Sequence, residues 1–515
     1  MGNIVGIDLG TTFSGLAVLN ELGKPETIPD ADAERITPSA VYFDEDDPGR
    51  CLIGREAIRA RRTNYGRCVR WIKRHMQEPD YRVNIDGCEW SASELSSFII
   101  KKLKKDCSNQ IGNITDAIIT VPAHFDEVGR KATMDAGETA GLDVIGIINE
   151  PTAAAVYYAL THDATGRILV FDLGGGTFDI TIMDIAGSKT NIICSAGDHR
   201  LGGYDFDQKL LARIESAYEQ QCGGKLYSTD ERKAGFEDTA ESLKKTLSKR
   251  PNVKTRLVGQ DGEMAYEVTR EEFEEAISPF LAKIDMLVET ALEEAGHGPS
   301  GINEIILVGG STRIPVVRQR LEKMFGYPPT TAVNVDECVA LGAALYAGLR
   351  LSEEQPEKVA GGVAAALAEA QVTDVCNHSY GTTCLNIDEE TGRPSDDNAI
   401  LITKNSQIPC EVTKEFYTVF DGQEVVEADV TQGESTDPDY VKILARKELR
   451  LPPNRPALRP IKVTYSYDKD QRMHCVFEDE ESGRRVEMDI DAQAGGVSKE
   501  QVAERKAALE DFIVE

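Results

Sequence analysis

The chain has 515 residues, 41% of them apolar and 28% charged, the balance of a globular protein with room for two to four domains of roughly 100–200 residues each. Acids outnumber bases by 87 to 57, a net charge of -30. That balance excludes a duplex-DNA binder, which needs clustered Lys and Arg, but leaves open a nucleotide site built from backbone N–H groups.

The N-terminus, MGNIVGIDLG, enters a strand pattern at once, so neither a signal peptide nor myristoylation at Gly2 is expected. Strands are predicted over residues 4–8, 16–20, 117–121, 168–172, 180–184 and 304–308. Amphipathic helices such as 95–104 and 273–292 lie between them, so residues 1–352 read as α/β. Residues 353–373 are low in complexity and carry Pro356 and a glycine pair, which predicts a linker with some helix. The apolar part of that linker, 359–368, is about half the roughly 20 residues a membrane span needs. Residues 374–493 change to strand–turn–strand, with strands over 415–420, 424–430, 461–467, 473–478 and 485–490. Asp421-Gly422, Asp468-Lys469-Asp470 and Ser482-Gly483 read as hairpin turns of an all-β sandwich. Residues 494–515 predict one short helix, capped by Ser498 with Gln501 and stapled by Val497 on Val502. Eleven Cys without a C-x-x-C pair, and seven His without an H-x-x-x-H pair, suit a reducing compartment, the cytoplasm, better than disulfides or a zinc centre.

An internal echo carries the chemistry. GIDLGTTFSGLAVL resembles FDLGGGTFDITIMD, with Asp8 and Asp172 in equivalent places: strand, acid, glycine turn with hydroxyls, strand. Gly10, Thr11 and Thr12 can present backbone and hydroxyl donors to phosphate, and Asp8 at the strand end can hold Mg²⁺ through its water shell. Gly174, Gly175, Gly176 and Thr177 repeat the arrangement. Gly309, Gly310 and Ser311 follow a strand and precede a helix, a place for an anion at a helix N-terminus. Glu241, Lys244, Lys245 and Ser248 share one helix face, either a solvated stripe or a cover for ribose and purine. No G-x-x-x-x-G-K-[ST] is present, so a P-loop NTPase is excluded.

IVGIDLGTTFS, IINEPTAAA, FDLGGGTFD, AGDHRLGGYDFD, ESLKKTLS and EIILVGGSTRIP, in that order over roughly residues 1–350, resemble Hsp70-type chaperones. DGQEVVEADVTQGE, IKVTYSYDKD and SKEQVAE are similar to the family's β-sandwich peptide-binding domain and first lid helix. The resemblance implies an actin-like, duplicated ribonuclease-H-type ATPase domain with ATP/ADP and Mg²⁺ between two lobes. It implies Asp8 and Asp172 on the metal side, and Thr11, Thr12, Gly174, Gly175, Gly176, Thr177, Gly202 and Gly203 on phosphate, with Asp179 nearby. Lys73 and Glu150 would act with Asp172 and Thr177 in hydrolysis, Glu150 orienting the attacking water. Glu241, Lys244, Lys245, Ser248, Gly309, Gly310, Ser311, Arg313 and Asp336 would surround the adenosine and adjacent phosphate. Pro122 and Arg130 match a relay to the interdomain face. Thr382, Phe416, Val426, Ala428 and Arg472 fall at the apolar peptide pocket; a shift of one residue would instead turn Arg472 outward and Met473 inward.

The sequence also departs from the family. Phe13 stands where Tyr is usual, and Lys245 where Arg commonly stacks on adenine. Gln77 replaces the glycine after the Lys73-Arg74 pair, which leaves Arg70 as an alternative register. The linker lacks a leucine run, which predicts weak docking and weak coupling, and no multi-helix lid is expected after the last helix. The resulting expectation is a slow, lidless ATP-hydrolysing chaperone acting on unfolded or extended polypeptide, with a J-domain co-chaperone and a nucleotide-exchange factor as partners, and neither nucleic acid nor membrane. An ATP-binding co-chaperone or scaffold with little turnover is the alternative; a sugar or acetate kinase fits less well, because a β sandwich follows.

Overall fold

Apolar runs such as Ile118-Ile119 and Val170-Phe171 are too continuous for a half-solvated strand, and they form the centres of two sheets covered on both faces. The computed structural model describes residues 3–515 except 163, 331–332, 357–358, 360, 388–393, 470, 491–498 and 511. In the first sheet, Asn3–Leu9 folds back on Phe13–Leu19, with Asp8 opposite Gly15, and runs parallel to Ile114–Val121 on its other side. In the second, Thr165–Leu173 folds back on Phe178–Ala186, with Asp172 opposite Asp179, and runs parallel to Glu304–Val308. The sheets thus repeat one topology: Asp143–Asn149, Ile114–Val121, Asn3–Leu9, Phe13–Leu19, Pro25–Thr27 in one, and Glu304–Val308, Thr165–Leu173, Phe178–Ala186, Lys189–Asp198 in the other. The duplicated architecture expected from the echo is present.

Helices Glu150–Thr161 and Cys338–Glu354 cross between the sheets. Their contact is made of Ala153, Ala154, Ala155, Ala343 and Ala347, all buried, and a Cβ on Gly342 would collide with the Ala153 carbonyl. The alanines after Asn149-Glu150-Pro151 therefore serve close helix packing, which fixes Glu150 at the end of its strand. The single helix expected over 273–292 is two, Arg270–Ala276 and Ser278–Glu294; Pro279 lies in the first turn of the second, where its missing N–H is tolerated.

The linker is more ordered than its composition suggests. Cys338–Glu354 runs past residue 352, Gly361–Leu367 is helical, and Gln371–Val375 is a strand. That strand pairs in parallel with Lys189–Asp198 and antiparallel with Gln407–Ile408, joining the second sheet to the β half. Docking rests on this ladder, on buried Val375 and, from the short helix, on Val363 and Leu367 packed against Leu345 and Leu349.

The β half is two four-stranded antiparallel sheets, ordered Pro394–Ile402, Tyr380–Ile387, Val425–Gln432, Lys442–Arg450 and Cys410–Tyr417, Pro460–Tyr467, Met473–Asp479, Arg484–Asp489. The strand expected over 415–420 lies earlier, at Cys410–Tyr417. Asp421-Gly422 does not close a hairpin: the strands on either side belong to different sheets, because each turns its apolar face into the shared core. Ser482-Gly483 does close one, with Gly483 at φ 69°.

After the helix Lys499–Glu510, the chain is not helical as expected: Ile513–Val514 is a strand beside Arg50–Ile53. Phe512, Ile513 and Val514 are strand formers, and a free sheet edge lies within their reach. Val497 and Ser498, and the side chains of Gln501 and Val502, lie outside the described residues. Among the described residues, no helix is long and apolar enough to cross a membrane.

Candidate functional site

The two hairpin turns meet across the cleft between the sheets. A Cβ on Gly175 would collide with the Thr12 hydroxyl, and one on Gly176 would lie 2.7 Å from Thr11 Cγ2. Behind them, a Cβ on Gly202 would lie 2.5 Å from the Gly176 nitrogen, and one on Gly203 2.6 Å from Ser311 Oγ. Only glycines let these loops nest. The Gly203 and Tyr204 amides donate to the Gly174 and Gly175 carbonyls at 3.0 and 2.7 Å, Ser311 Oγ donates to the Gly174 carbonyl at 2.8 Å, and the Gly174 amide donates to the Thr177 carbonyl at 3.0 Å. Gly309, at φ 79°, passes against the Leu173 carbonyl. A short 3-10 turn, Gly310–Arg313, intervenes before the helix Pro315–Phe325, so the third loop does not open directly into a helix N-terminus.

Beneath the turns lies a cluster of charge: half-buried Asp8 with buried Glu150, Asp172, Asp179 and Lys73. Lys73 is 4% exposed and is ion-paired with Glu150. Burial, reinforced by Glu150, pushes the Asp8 carboxyl up to about 7 and Asp179 to about 8. Burial, with Glu150, Asp179 and Asp8, raises Asp172 well above its ordinary value. Asp8 accepts from Thr120 Oγ1 at 3.0 Å and Asp179 Oδ1 from the His124 amide at 3.1 Å, while Asp179 Oδ2 is buried without a hydrogen-bond partner among the described residues. Such crowded carboxylates call for a cation. Their oxygen donors fit a hard cation such as Mg²⁺; among the described residues no three His, Cys, Asp or Glu side chains converge to ligate one directly.

Lys73 sits on a 3-10 turn, Ile72–His75, entered through Trp71 in the left-handed region at φ 55°. The Trp71 ring is held by the Arg70 guanidinium at 4.4 Å and by the Tyr204 ring at 4.7 Å. Arg70 pairs with Asp238 and Glu241 at 2.7 and 3.0 Å, so the cation at Glu150 is Lys73 and not Arg70. Gln77 is not idle where a glycine was expected: its Oε1 accepts from the Asp126 amide at 2.9 Å and fixes the loop after Pro122.

On the adenosine side the expected residues divide. Thr11, Thr12, Phe13, Glu241 and Lys245 line one cleft of about 770 Å³. Against the upward push of burial, Arg70 and Lys245 bring the Glu241 carboxyl down to about 2. Lys244 does not face the cleft; it is buried and donates to Asp207 at 2.7 Å and to the Gly203 carbonyl at 2.8 Å, supporting the second loop from beneath. Ser248 Oγ bonds back to the Lys244 carbonyl, and Arg313 pairs with Asp336 through two contacts of 2.8 and 2.6 Å. Sequence reasoning did not give the arginines their role in bridging the lobes. Arg61 and Arg70 share Asp238, and Arg74 reaches Asp205 at 2.9 Å and the Gly176 carbonyl at 3.1 Å. No motif gives their pairing, since their partners come from distant helices.

From Asn149, next to Glu150, a polar path leads to the β half. Arg130, 1% exposed, donates to Asn149 Oδ1 and to the Ala123 carbonyl at 3.0 Å, and to Gln471. Gln471 and Asn149 both donate to Asp374 at 3.2 Å. Glu127 accepts from Tyr467 at 3.1 Å and from Tyr380. In the sandwich, Thr382 and Ala428 are buried, while Phe416 and Val426 are half-buried against the same core. Arg472 is exposed and Met473 buried in the sandwich core, the orientation that the one-residue shift describes. Tyr417, Phe420 and Leu458, which sequence reasoning did not single out, are exposed at the adjoining end of the sandwich.

Two comparisons bear on this geometry. The family profile described as Hsp70 protein matches residues 4–82 and 76–513. The chain is also 37% identical over 497 residues to a curated relative named Chaperone protein DnaK, from Thermotoga neapolitana, a match that covers 94% of this chain and 80% of the relative.

Proposed function

Because the chain belongs to the Hsp70 family, we propose that it binds Mg·ATP between its duplicated sheets, hydrolyses it slowly, and so controls the grip of the β sandwich on extended segments of unfolded polypeptide. The observation that carries this reading is the Asp8, Lys73, Glu150, Asp172 and Asp179 cluster directly beneath two facing glycine turns. The turns offer backbone N–H groups and the Thr11, Thr12 and Thr177 hydroxyls to phosphate oxygens. Glu150 orients the attacking water, Lys73 offsets charge that develops on the transferred phosphoryl group, and the buried setting strengthens both effects. Mg²⁺, when bound, would neutralise phosphate charge beside Asp8 and Asp172. The Arg130–Gln471–Asp374 path gives the site a physical route to the sandwich. A J-domain co-chaperone and a nucleotide-exchange factor are the proposed partners. A reducing cytoplasm, which suits eleven free thiols, is the proposed compartment.

One observation favours the second reading, a scaffold that binds ATP and turns it over little: Lys73 is ion-paired with Glu150 Oε1, which lowers the basicity that the carboxylate can offer a water. Single-turnover phosphate release decides between them. We expect Glu150→Ala to retain nucleotide and lose turnover by about 10²–10⁴-fold, the range for a group that positions or deprotonates the nucleophile. Asp172→Ala should lose Mg²⁺-dependent turnover as well. Equal rates in wild type and both variants would leave only the scaffold.

A further inference from the structure

The edge of Arg50–Ile53 in the ATPase half carries an added strand from far along the chain. Ile513 pairs with Arg50 and Val514 with Cys51, in parallel. The Ile513 amide donates to the Gly49 carbonyl at 2.8 Å, the Glu515 amide to the Cys51 carbonyl at 3.0 Å, and the Ile53 amide to the Glu515 carbonyl at 2.7 Å. Side chains give the ladder specificity. Leu509 and Val514, 2% and 3% exposed, belong to the core of the first lobe. Phe512 sets its ring against Trp90 and Phe98 at 5.5 and 5.4 Å. Lys101 and Lys105, one turn apart on the helix Ala92–Ile111, donate to the carbonyls of Phe512 at 3.2 Å and Val514 at 2.7 Å, and Arg50 pairs with Glu515. The preceding helix adds the Arg505–Glu94 pair at 3.1 Å, and cavities of about 650 and 300 Å³ lie beside its Ala503 and Lys506.

We propose that the strand Ile513–Val514, with Leu509, Phe512 and Glu515 gripping beside it, is an intramolecular ligand of this edge, and that it fastens the β sandwich to the ATPase half whatever nucleotide is bound. The clasp is then a hold separate from the strand Gln371–Val375 and from the direct contacts of Gln471, Tyr380 and Tyr467 with Arg130 and Glu127. Residue 490, the last described in the sandwich, is nine residues from Lys499, at most about 30 Å of extended chain. A partner tethered so closely rebinds at high effective concentration, so release of the linker strand alone does not free the sandwich.

Hydrogen exchange of the 371–375 amides, followed by mass spectrometry on the full chain, tests this. Wild type should protect these amides equally, within about twofold, without nucleotide and with Mg·ADP or Mg·ATP. Leu509→Asp with Val514→Asp should speed their exchange at least tenfold in one of these states. Phe512→Ala, which removes only a half-buried ring, should do so about threefold, and it decides the matter if the double variant fails to fold. An excess of a synthetic 499–515 peptide should leave exchange fast in both variants, because a peptide not joined to the sandwich fills the edge without fastening it. Tenfold state-dependent exchange in wild type, or undiminished protection in variants whose own 513–515 amides have become exposed, would overturn the proposal. A concentration-dependent dimer of wild type would also overturn it, because the strand would then come from a second copy. The nucleotide-free arm does not depend on the ATP reading; a melting temperature unmoved by Mg·ATP would sink that reading alone.

Discussion

The nucleotide cleft and the β sandwich handle buried polarity in opposite ways. In the cleft, four carboxylates and Lys73 are forced together under the glycine turns, at a cost in repulsion and desolvation that bound Mg²⁺ would offset. In the sandwich, the residues expected to contact peptide are spread over different strands of a continuous apolar core, and Arg472 stays in water. Short motifs define a charged site, because each residue's role follows from its chemistry. An apolar grip depends instead on register and on which loops stand beside it.

The sharpest way to break this contrast is at Lys73. Removing one partner of a buried ion pair costs about 3–5 kcal/mol. Lys73→Met should therefore lower the melting temperature of the nucleotide-free protein, and Mg·ATP should recover part of the loss. An unchanged melting curve would mean that the cluster is solvated rather than strained.

The two regions should also titrate in opposite senses. Asp8 and Asp179 have folded values raised to about 7 and about 8, so the folded protein holds protons that the unfolded chain has lost. Their contribution falls as pH rises from about 4 into that range. At the face toward the sandwich, the rings of His124 and His378 lie 5.3 Å apart. Burial first, then Lys404 and His199, hold His124 down to about 4 against Asp198 and Glu294. Burial, His124, Arg130 and Lys404 hold His378 well below its ordinary value, against the Phe125 carbonyl. Here the unfolded chain takes up protons first. Stability is therefore complete above about pH 6.5 and is lost as pH falls toward 4, by about 1.4 kcal/mol per pH unit for each imidazole. Chemical denaturation of wild type and of His124→Phe with His378→Leu should show that slope in the difference between them. Parallel curves would place the histidines outside the docked interface.

The smallest expected effects belong to the sandwich. Phe420 and Leu458, 61% and 73% exposed, stand where a peptide could cover them. Phe420→Ser should weaken binding of a labelled leucine-rich peptide about fivefold, near 1 kcal/mol, within the range for an apolar contact that is not a hot spot. Arg472→Ile should change it less than twofold. A larger effect of Arg472→Ile, read by anisotropy, would return the guanidinium to the pocket and erase the contrast between the regions.

The duplicated hairpins, Asp8 opposite Asp172, the glycine turns and the β character of the second half were all legible in the chain, because strand period, turn chemistry and acid placement are local. Lys73 was legible only through its neighbours in sequence, and its pairing with Glu150 needed the fold. What only the tertiary structure decided is long-range. Lys244 turns beneath the loop rather than toward the cleft, because Asp207 lies there on another helix. Arg61, Arg70 and Arg74 tie lobes that are far apart in sequence. Residues 371–375 dock by a backbone ladder that composition does not reveal, and 513–514 become a strand because a sheet edge more than 450 residues earlier lacks a partner on that side. Local patterns specify what a segment can form; backbone donors and apolar side chains take whichever partner the fold brings within reach.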